Sequence, residues 1–383
     1  MSFDAGATWR RAVLPKRDGV TGGGDPWVTF DQAGTAYLSC LHGARTETGE
    51  RTSGVGVYRS DDGGVTWTGP AMLPGRAYDR PVLVVGAPQK AGQTTLHVVV
   101  SQGTRHDFGS ANPISISTST DGGRTFAQPV QVLFNNLNNN VRSANALADG
   151  TLVAVFYDIG SLDGRRLEQF RVWSIRSTDG GRTFSPALFV DENAGGDQVD
   201  VTGDPTGRLF AVWDVVRGPR EGRGVFFAKS EDGGKRWSAP SRLAESSEGE
   251  RQQHVPTVAA GPDGTIAAFW VDYRNDSRGE CSEVYIRASR DLGKTWTDAQ
   301  RLSVKASCPR TPSNTVTRTD GKPNAIDRRW MEGGDYHGLV AGEHGRFHAA
   351  WSDSSTGVFQ IHFATIEVAR PALLSPDRPS ALR

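Results

Sequence analysis

One eight-residue pattern, Ser-x-Asp-x-Gly-x-Thr-aromatic, recurs six times along the chain. It occurs as SFDAGATW from Ser2, SDDGGVTW from Ser60, STDGGRTF from Ser119, STDGGRTF from Ser177, SEDGGKRW from Ser230 and SRDLGKTW from Ser289, at intervals of 58, 59, 58, 53 and 59 residues. A period of that length means that a chain is an array of equivalent supersecondary units. Each residue type has a turn-making reason. The Asp accepts backbone N–H bonds, the Gly takes positive φ, and the Ser and Thr hydroxyls tie the flanks. The aromatic is expected to plug the gap between neighbouring sheets. Only the fifth copy departs, with Arg236 where Thr stands elsewhere.

Between the boxes every unit repeats a second theme, an apolar alternation, a Gly-containing turn, and a strand ending in an aromatic or acidic residue. NALADGTLVAVFYD, VDVTGDPTGRLFAVWD and VPTVAAGPDGTIAAFWVD are examples. These read as period-two strands joined by short turns, several per unit, which is the pattern of a four-stranded propeller blade. No amphipathic helix is legible. Glycine, at 46 of 383 residues or 12%, fits such a turn-rich chain. The first box has no strand before it, and the last unit has strands as far as GVFQIHFATIEVA but no box after them. The ends therefore complete one another, the N-terminal box and TWRRAVLP closing a sixth blade and protecting its edge. The expected architecture is all-β: a single six-bladed β-propeller of four-stranded antiparallel blades over residues 1–369. A loose Pro-rich tail follows at 370–383.

The boxes resemble the Asp-box, or BNR, repeats of the sialidase superfamily of β-propellers, and they cover the chain from end to end. The resemblance implies that the boxes lie on the face opposite the active site, so their own acidic residues are structural. The site is sought on the other face, where the starts of the innermost strands meet the loops after the second strands. The strand starts contribute Asp25, Trp27, Asp79, Arg80, Arg142, Asn145, Asp197, Asp200, His254, Asp335, Tyr336 and His337. The loops add His42, Arg45, Glu47, Arg105, His106, Asp107, Asp158, Arg165, Arg166, Asp214, Arg217, Asp272, Arg274, Asp276 and Arg278.

Sialidases cleave a sugar acid whose carboxylate sits on the anomeric carbon, and three arginines usually hold it, because a guanidinium grips a carboxylate bidentately and stays charged. Their nucleophile is a tyrosine made more basic by a neighbouring carboxylate, and an Asp serves as acid/base. The resemblance makes Tyr336, in DYHGL, the nucleophile and Asp200, in QVDV, its activating carboxylate, one methylene shorter than the family's Glu. Arg274, in FWVDYRND, is one clamp arginine, with Arg278 close enough to compete. YDRP at Tyr78 to Pro81 is the likeness to the family's Arg-Ile-Pro motif; with SQGTRHD it gives Arg80 and Arg105 as clamp arginines and Asp107 as acid/base. That likeness lies one blade from the register of Tyr336 and Asp200. Arg45 and Glu47 are the in-register substitutes in the first unit, whose inner strand begins DPWV without an arginine.

The expected function is therefore a retaining, sialidase-like glycoside hydrolase that removes a terminal acidic sugar, an exo-α-sialidase type acting on a glycan or sialoside-like substrate without a cofactor. Two alternatives stand beside it: a noncatalytic glycan- or protein-binding propeller, and another carbohydrate-active enzyme, such as a uronate lyase or a different glycosidase. Histidines 42, 106, 254 and 337 all fall on the rim, but their spacing matches no local metal-ligand motif, so no metal is expected. Forty-three basic against 43 acidic residues give zero formal charge, which argues against a nucleic-acid partner. No apolar run is long enough to span a membrane. A monomer is expected.

Asp158, Asp214, Asp272 and Asp353 repeat at the ends of second strands and therefore read as structural. Of three cysteines, Cys40 sits in an apolar strand. Cys281 and Cys308 both border the rim, where a disulfide would pin a lid over the pocket and imply an oxidising compartment; two free thiols in a cytosolic protein is the alternative. The long connection over about residues 303–333 carries Arg310, Arg318, Asp327, Arg328, Arg329, Trp330 and Glu332, and a clamp arginine could come from it. The opening MSFDAGATWR is not the charged-then-apolar pattern of a cleaved leader, so a mature, secreted or periplasmic form is expected.

Overall fold

A computed structural model describes residues 1–17, 20, 22–45, 49, 51–76, 78–90, 92–103, 112–132, 138–159, 161–162, 165–166, 171–194, 196, 198–215, 224–244, 253–309, 316–317, 323–324 and 333–369. The chain forms six consecutive antiparallel sheets, the blades, each running outward in sequence order from the channel. Blade 1 comprises Gly22–Phe30, Ala36–Arg45, Arg51–Ser60 and Thr68–Met72. The innermost strands of the next four are Tyr78–Lys90, Asn138–Ala146, Val199–Gly203 and Gln253–Ala260. Blade 6 has three strands, Gly338–Ala341, Arg346–Asp353 and Gln360–Glu367. No helix is present among the described residues.

The alternation predicted from the sequence decides the packing. Odd and even positions of each strand face different neighbours, so five apolar layers fill five seams between blades. Tyr37, Val57 and Leu83 fill the first. Val99, Ile116 and Phe156 fill the next, followed by layers around Trp213, Trp270 and Phe347. The seam between blades 6 and 1 is different. Its apolar side chains Val28, Phe30, Val340 and Ile361 are all at least half exposed. There the N-terminal box is wedged in, with Trp9 edge-on to Phe363 at 5.5 Å and Phe3 against Gly63 of blade 1. Among the described residues the N-terminal segment forms no strand ladder with Gln360–Glu367.

The boxes share one hydrogen-bond plan. In the second copy Ser60 Oγ donates to Asp62 Oδ1 at 2.7 Å, and the Gly64 N–H donates to Ser60 Oγ at 2.7 Å. The Thr66 N–H and hydroxyl donate to the two Asp62 oxygens at 2.9 and 2.6 Å. In the fifth copy Arg236 takes over, its Nε donating to Asp232 Oδ2 at 3.1 Å where the Thr hydroxyl would stand. The box aromatics bridge blades as expected: Trp237 of blade 4 donates to Ser174 of blade 3 at 2.9 Å, and Trp296 of blade 5 meets Phe227 of blade 4 edge-on.

These bonds favour the ionised Asp. Hydrogen bonds from Thr8 and Thr66 hold Asp4 and Asp62 at about 2, and Thr295 does the same for Asp291. A depressed folded-state pKa gives stability that is present above the unfolded value and lost as pH falls through the folded one. We therefore expect the boxes' contribution to stability to be kept down to about pH 4 and lost toward pH 2; differential scanning calorimetry over about pH 4 to 2, comparing the protein with Asp62→Asn, checks it.

Cys281 and Cys308 form a disulfide, flanked by an antiparallel bridge in which Ser282 and Ser307 exchange backbone hydrogen bonds at 2.9 and 2.8 Å. It fixes the beginning of the long connection to blade 5. Closing a loop with a sequence separation of 27 is worth about 3–4 kcal/mol by chain entropy, so reduction is expected to lower the melting temperature measurably. Such a bond is compatible with an oxidising compartment.

Candidate active site at the channel mouth

The innermost strands of all six blades enclose a central cavity of about 620 Å³, lined near its mouth by Trp27, Arg80, Arg142, Gln198, Pro256 and Tyr336. A backbone device recurs in three blades and delivers two of the mouth's polar groups. Asp25, Arg80 and Val255 each precede a proline and have positive φ, 51°, 53° and 50°. Each lies where the ladder to the second strand slips, between Gly24 and Trp27, Asp79 and Val82, and His254 and Thr257. Arg142 is the extra residue of a fourth irregularity, between Val141 and Ser143. Bulges re-aim side chains at sheet ends, and a left-handed non-glycine residue is strain held in place by its surroundings. Arg80, Arg142 and one carboxylate of the mouth, Asp25, are thus placed by bulges.

The centre of the site is Asp335. Its Oδ2 accepts from Arg80 Nη2 at 2.6 Å, Arg142 Nη1 at 2.9 Å and Gln198 Nε2 at 3.2 Å. The two guanidiniums come from different blades and are both buried, with side chains 13% and 4% exposed. Arg142 also donates to the Tyr157 hydroxyl at 2.8 Å and lies over its ring. Burial works against the charge on Arg80, but Tyr157, Asp335 and Tyr336 outweigh it and hold its proton more tightly.

Beside this clamp lies Tyr336, its ring centroid 5.8 Å from the Arg80 guanidinium carbon. Its hydroxyl is buried and makes no hydrogen bond of ordinary geometry. Burial pushes the phenol pKa up, the pull of Arg80 opposes it, and Asp25 and Asp335 push further. Burial likewise raises Asp25 above the usual carboxylate range, reinforced by Asp79 and opposed by Arg80 and Tyr336. A carboxyl poised toward its neutral form beside a phenol is a proton acceptor in waiting. His337 is buried and stacked on Phe269, and burial depresses it to about 4.

The structure thus brings together Tyr336 and Arg80 of the expected set, with Arg142 and Asp25 from the wider rim. Asp200 lines the same cavity. It accepts from the backbone N–H of Val201 and of Val258 at 2.9 Å each, tying blade 4 to blade 5, and burial raises it to about 6. Arg274 does not line the cavity; it pairs with Asp272 at 2.6 Å and stacks on Tyr285 at 4.2 Å. Arg278 sits 75% exposed near Asp276 and Glu280. Arg105 and Asp107 lie outside the described residues, as do Glu47, His106, Asp197 and Arg217. The repeated aspartates are ties within the blades: Asp272 and Asp353 accept from Trp270 and Trp351, and Asp158 is gripped by Arg171. Among the described residues no group of three His, Cys, Asp or Glu side chains could hold a metal ion.

Gln198 was not in the expected set, and nothing in its immediate sequence marks it. Arg142 and Asp25 carried a usable signal. Asp25 shares the x-Pro context of Arg80, and Arg142 interrupts an otherwise regular alternation.

A family model described as a BNR repeat-like domain matches residues 207–364. No curated protein sequence matches the chain. Among solved structures, a protein of unknown function from Dyadobacter fermentans aligns with a TM-score of 0.57 at 16% identity, covering 94% of this chain and 98% of its own. A variant of the α-L-arabinofuranosidase Arb93A from Fusarium graminearum, bound to an iminosugar inhibitor, aligns at 0.53 and 15% identity over 89% and 91% of the two chains. A leech intramolecular trans-sialidase complexed with 2,7-anhydro-Neu5Ac aligns at 0.53 and 12% identity over 91% and 68%. At these identities the likeness is one of fold. With six Asp boxes in sequence and a repeat-domain match over residues 207–364, the chain is a six-bladed β-propeller built on Asp-box (BNR-like) repeats.

Proposed function

We propose that the channel mouth is the active site of a retaining glycoside hydrolase that removes a terminal acidic sugar, with Arg80 and Arg142 holding the sugar carboxylate and Tyr336 as nucleophile. One observation carries this reading: two buried guanidiniums from separate blades converge on a single carboxylate oxygen next to a buried phenol. A neutral phenol suits attack beside an anionic substrate, and glycosidases of this kind are exceptions to the two-carboxylate scheme.

In the first step the Tyr336 oxygen bonds to the anomeric carbon while its proton passes to Asp25, and the departing glycan oxygen takes a proton from an acid. Asp107 is the residue we assign to that role. In the second step Asp107 takes a proton from water, the water oxygen displaces the Tyr336 oxygen, and Asp25 returns its proton. Asp25 takes the place the sequence reading gave to Asp200, whose two oxygens are occupied by backbone N–H groups.

A second reading is a neutral-sugar glycosidase, because Asp335 already neutralises one guanidinium. An assay with a fluorogenic sialoside, uronic acid glycosides and an arabinofuranoside decides between them. Turnover confined to the acidic substrates supports the first reading. Turnover of the arabinofuranoside alone overturns it in favour of the second, and binding without any turnover leaves a glycan-binding propeller. Secretion is proposed on the same footing, from the disulfide.

A further inference from the structure

We propose that Asp335 is an internal carboxylate that fills the arginine clamp in the ligand-free protein and is displaced when a ligand carboxylate binds. The inference rests on the reading of the mouth as a carboxylate site and adds a competitor built into the chain.

Three features support displacement over a fixed strut. Only one oxygen of Asp335 is engaged among the described residues, and it carries three donors from three blades, one more than its two lone pairs accommodate in good geometry. The clamp is not saturated, since the Nε of Arg142 is buried without a partner. The third feature is a hinge. Asp335 lies before the first strand residue of blade 6, Gly338, and after Gly333 and Gly334, which have φ of 82° and 130°. A side chain added at Gly334 would meet nothing within 4 Å, whereas one at Gly333 would press on Ser352 and Phe359, so Gly334 is the pivot and Gly333 its anchor. Rotation at Gly334 precedes the first strand of blade 6, at Gly338, and so breaks no ladder.

Charge gives the direction of selection. Within the clamp itself two guanidiniums and one internal carboxylate leave one positive charge, with the Asp25 carboxyl beside it. Once Asp335 has swung out, an incoming carboxylate gains both arginines, whose remaining donors offer the bidentate geometry that Asp335 does not use. A ligand must outcompete an intramolecular carboxylate of high effective concentration, so weak monoanions are rejected and only those with further contacts in the cavity are retained.

The test uses the full chain and acetate as probe, titrated by calorimetry into the unaltered protein, Asp335→Asn, Asp335→Ser and Asp335→Glu. Neutralising the competitor is expected to tighten acetate binding at least about tenfold in the first two variants and to leave it unchanged in Asp335→Glu. Acetamide serves as the uncharged control and should not respond. Acetate binding that is unchanged or weaker in both Asp335→Asn and Asp335→Ser, with melting temperatures showing that either variant is folded, overturns displacement and makes Asp335 a strut. The outcome is separable from the proposed activity. Tightened acetate with no glycoside turned over keeps the displacement and removes the hydrolase; turnover of an acidic sugar without tightened acetate does the reverse.

Discussion

Tyr336→Phe is expected to lower kcat at least about 10³-fold, with KM for an acidic glycoside changed little and the melting temperature kept. The substitution removes one oxygen that has no hydrogen-bond partner of ordinary geometry, only weaker contacts to Asp25 and Arg80, so the fold loses little. The ring and its neighbour Arg80 stay where they are. A nucleophile contributes to the transition state alone, whereas the arginines contribute to ground-state binding as well. A second readout follows from Asp25. To accept the phenol proton it must be ionised, and burial holds its pKa above the ordinary carboxylate range. Activity should therefore rise with pH through that raised value, and Asp25→Asn should remove the rise along with most of kcat. Unchanged turnover in Tyr336→Phe, measured on the best substrate of the panel, would eliminate the nucleophile.

The scaffold was largely written in local sequence, and the site was not. A box announces itself because Ser, Asp, Gly and Thr act within eight residues, as at Ser60 to Thr66. Even its one departure is locally repaired, Arg236 supplying the bond of the missing hydroxyl. The disulfide followed from two loops reaching one face. The clamp follows no such rule. Asp335 is 255 residues from Arg80 and 193 from Arg142, and their meeting depends on ring closure and on ladder slips that an apolar alternation does not reveal.

Arg274 shows the converse. An arginine two residues after a strand-end aspartate looks free to reach the pocket, but it folds back on Asp272, which is fully buried and also accepts from Trp270. A buried carboxylate needs its cation nearby, and that local demand takes precedence over the channel. Asp200 illustrates the same preference: a carboxylate on an innermost strand serves two backbone N–H groups across a blade seam.

The second large effect is expected at the clamp. Arg142→Met should weaken binding of an acidic ligand about 30- to 150-fold, the equivalent of about 2–3 kcal/mol for hydrogen bonds to a charged group, while leaving a neutral glycoside of the same shape bound as before. Arg80→Met should act in the same direction, and in both variants the loss should appear mainly in KM, the opposite split from Tyr336→Phe. Stability should respond as well. Arg142 is buried against the Tyr157 hydroxyl and Asp335, so its removal strands one donor-acceptor partner and halves the cationic neutralisation of a buried carboxylate. The cost should be about 1–3 kcal/mol, and less in the double variant Arg142→Met, Asp335→Asn, because the stranded charge is gone. Isothermal titration and thermal melts on the two single variants and the double one measure both quantities. Equal weakening of acidic and neutral ligands would mean that Arg142 shapes the pocket without recognising a carboxylate, and would leave Arg80 to hold the sugar acid alone.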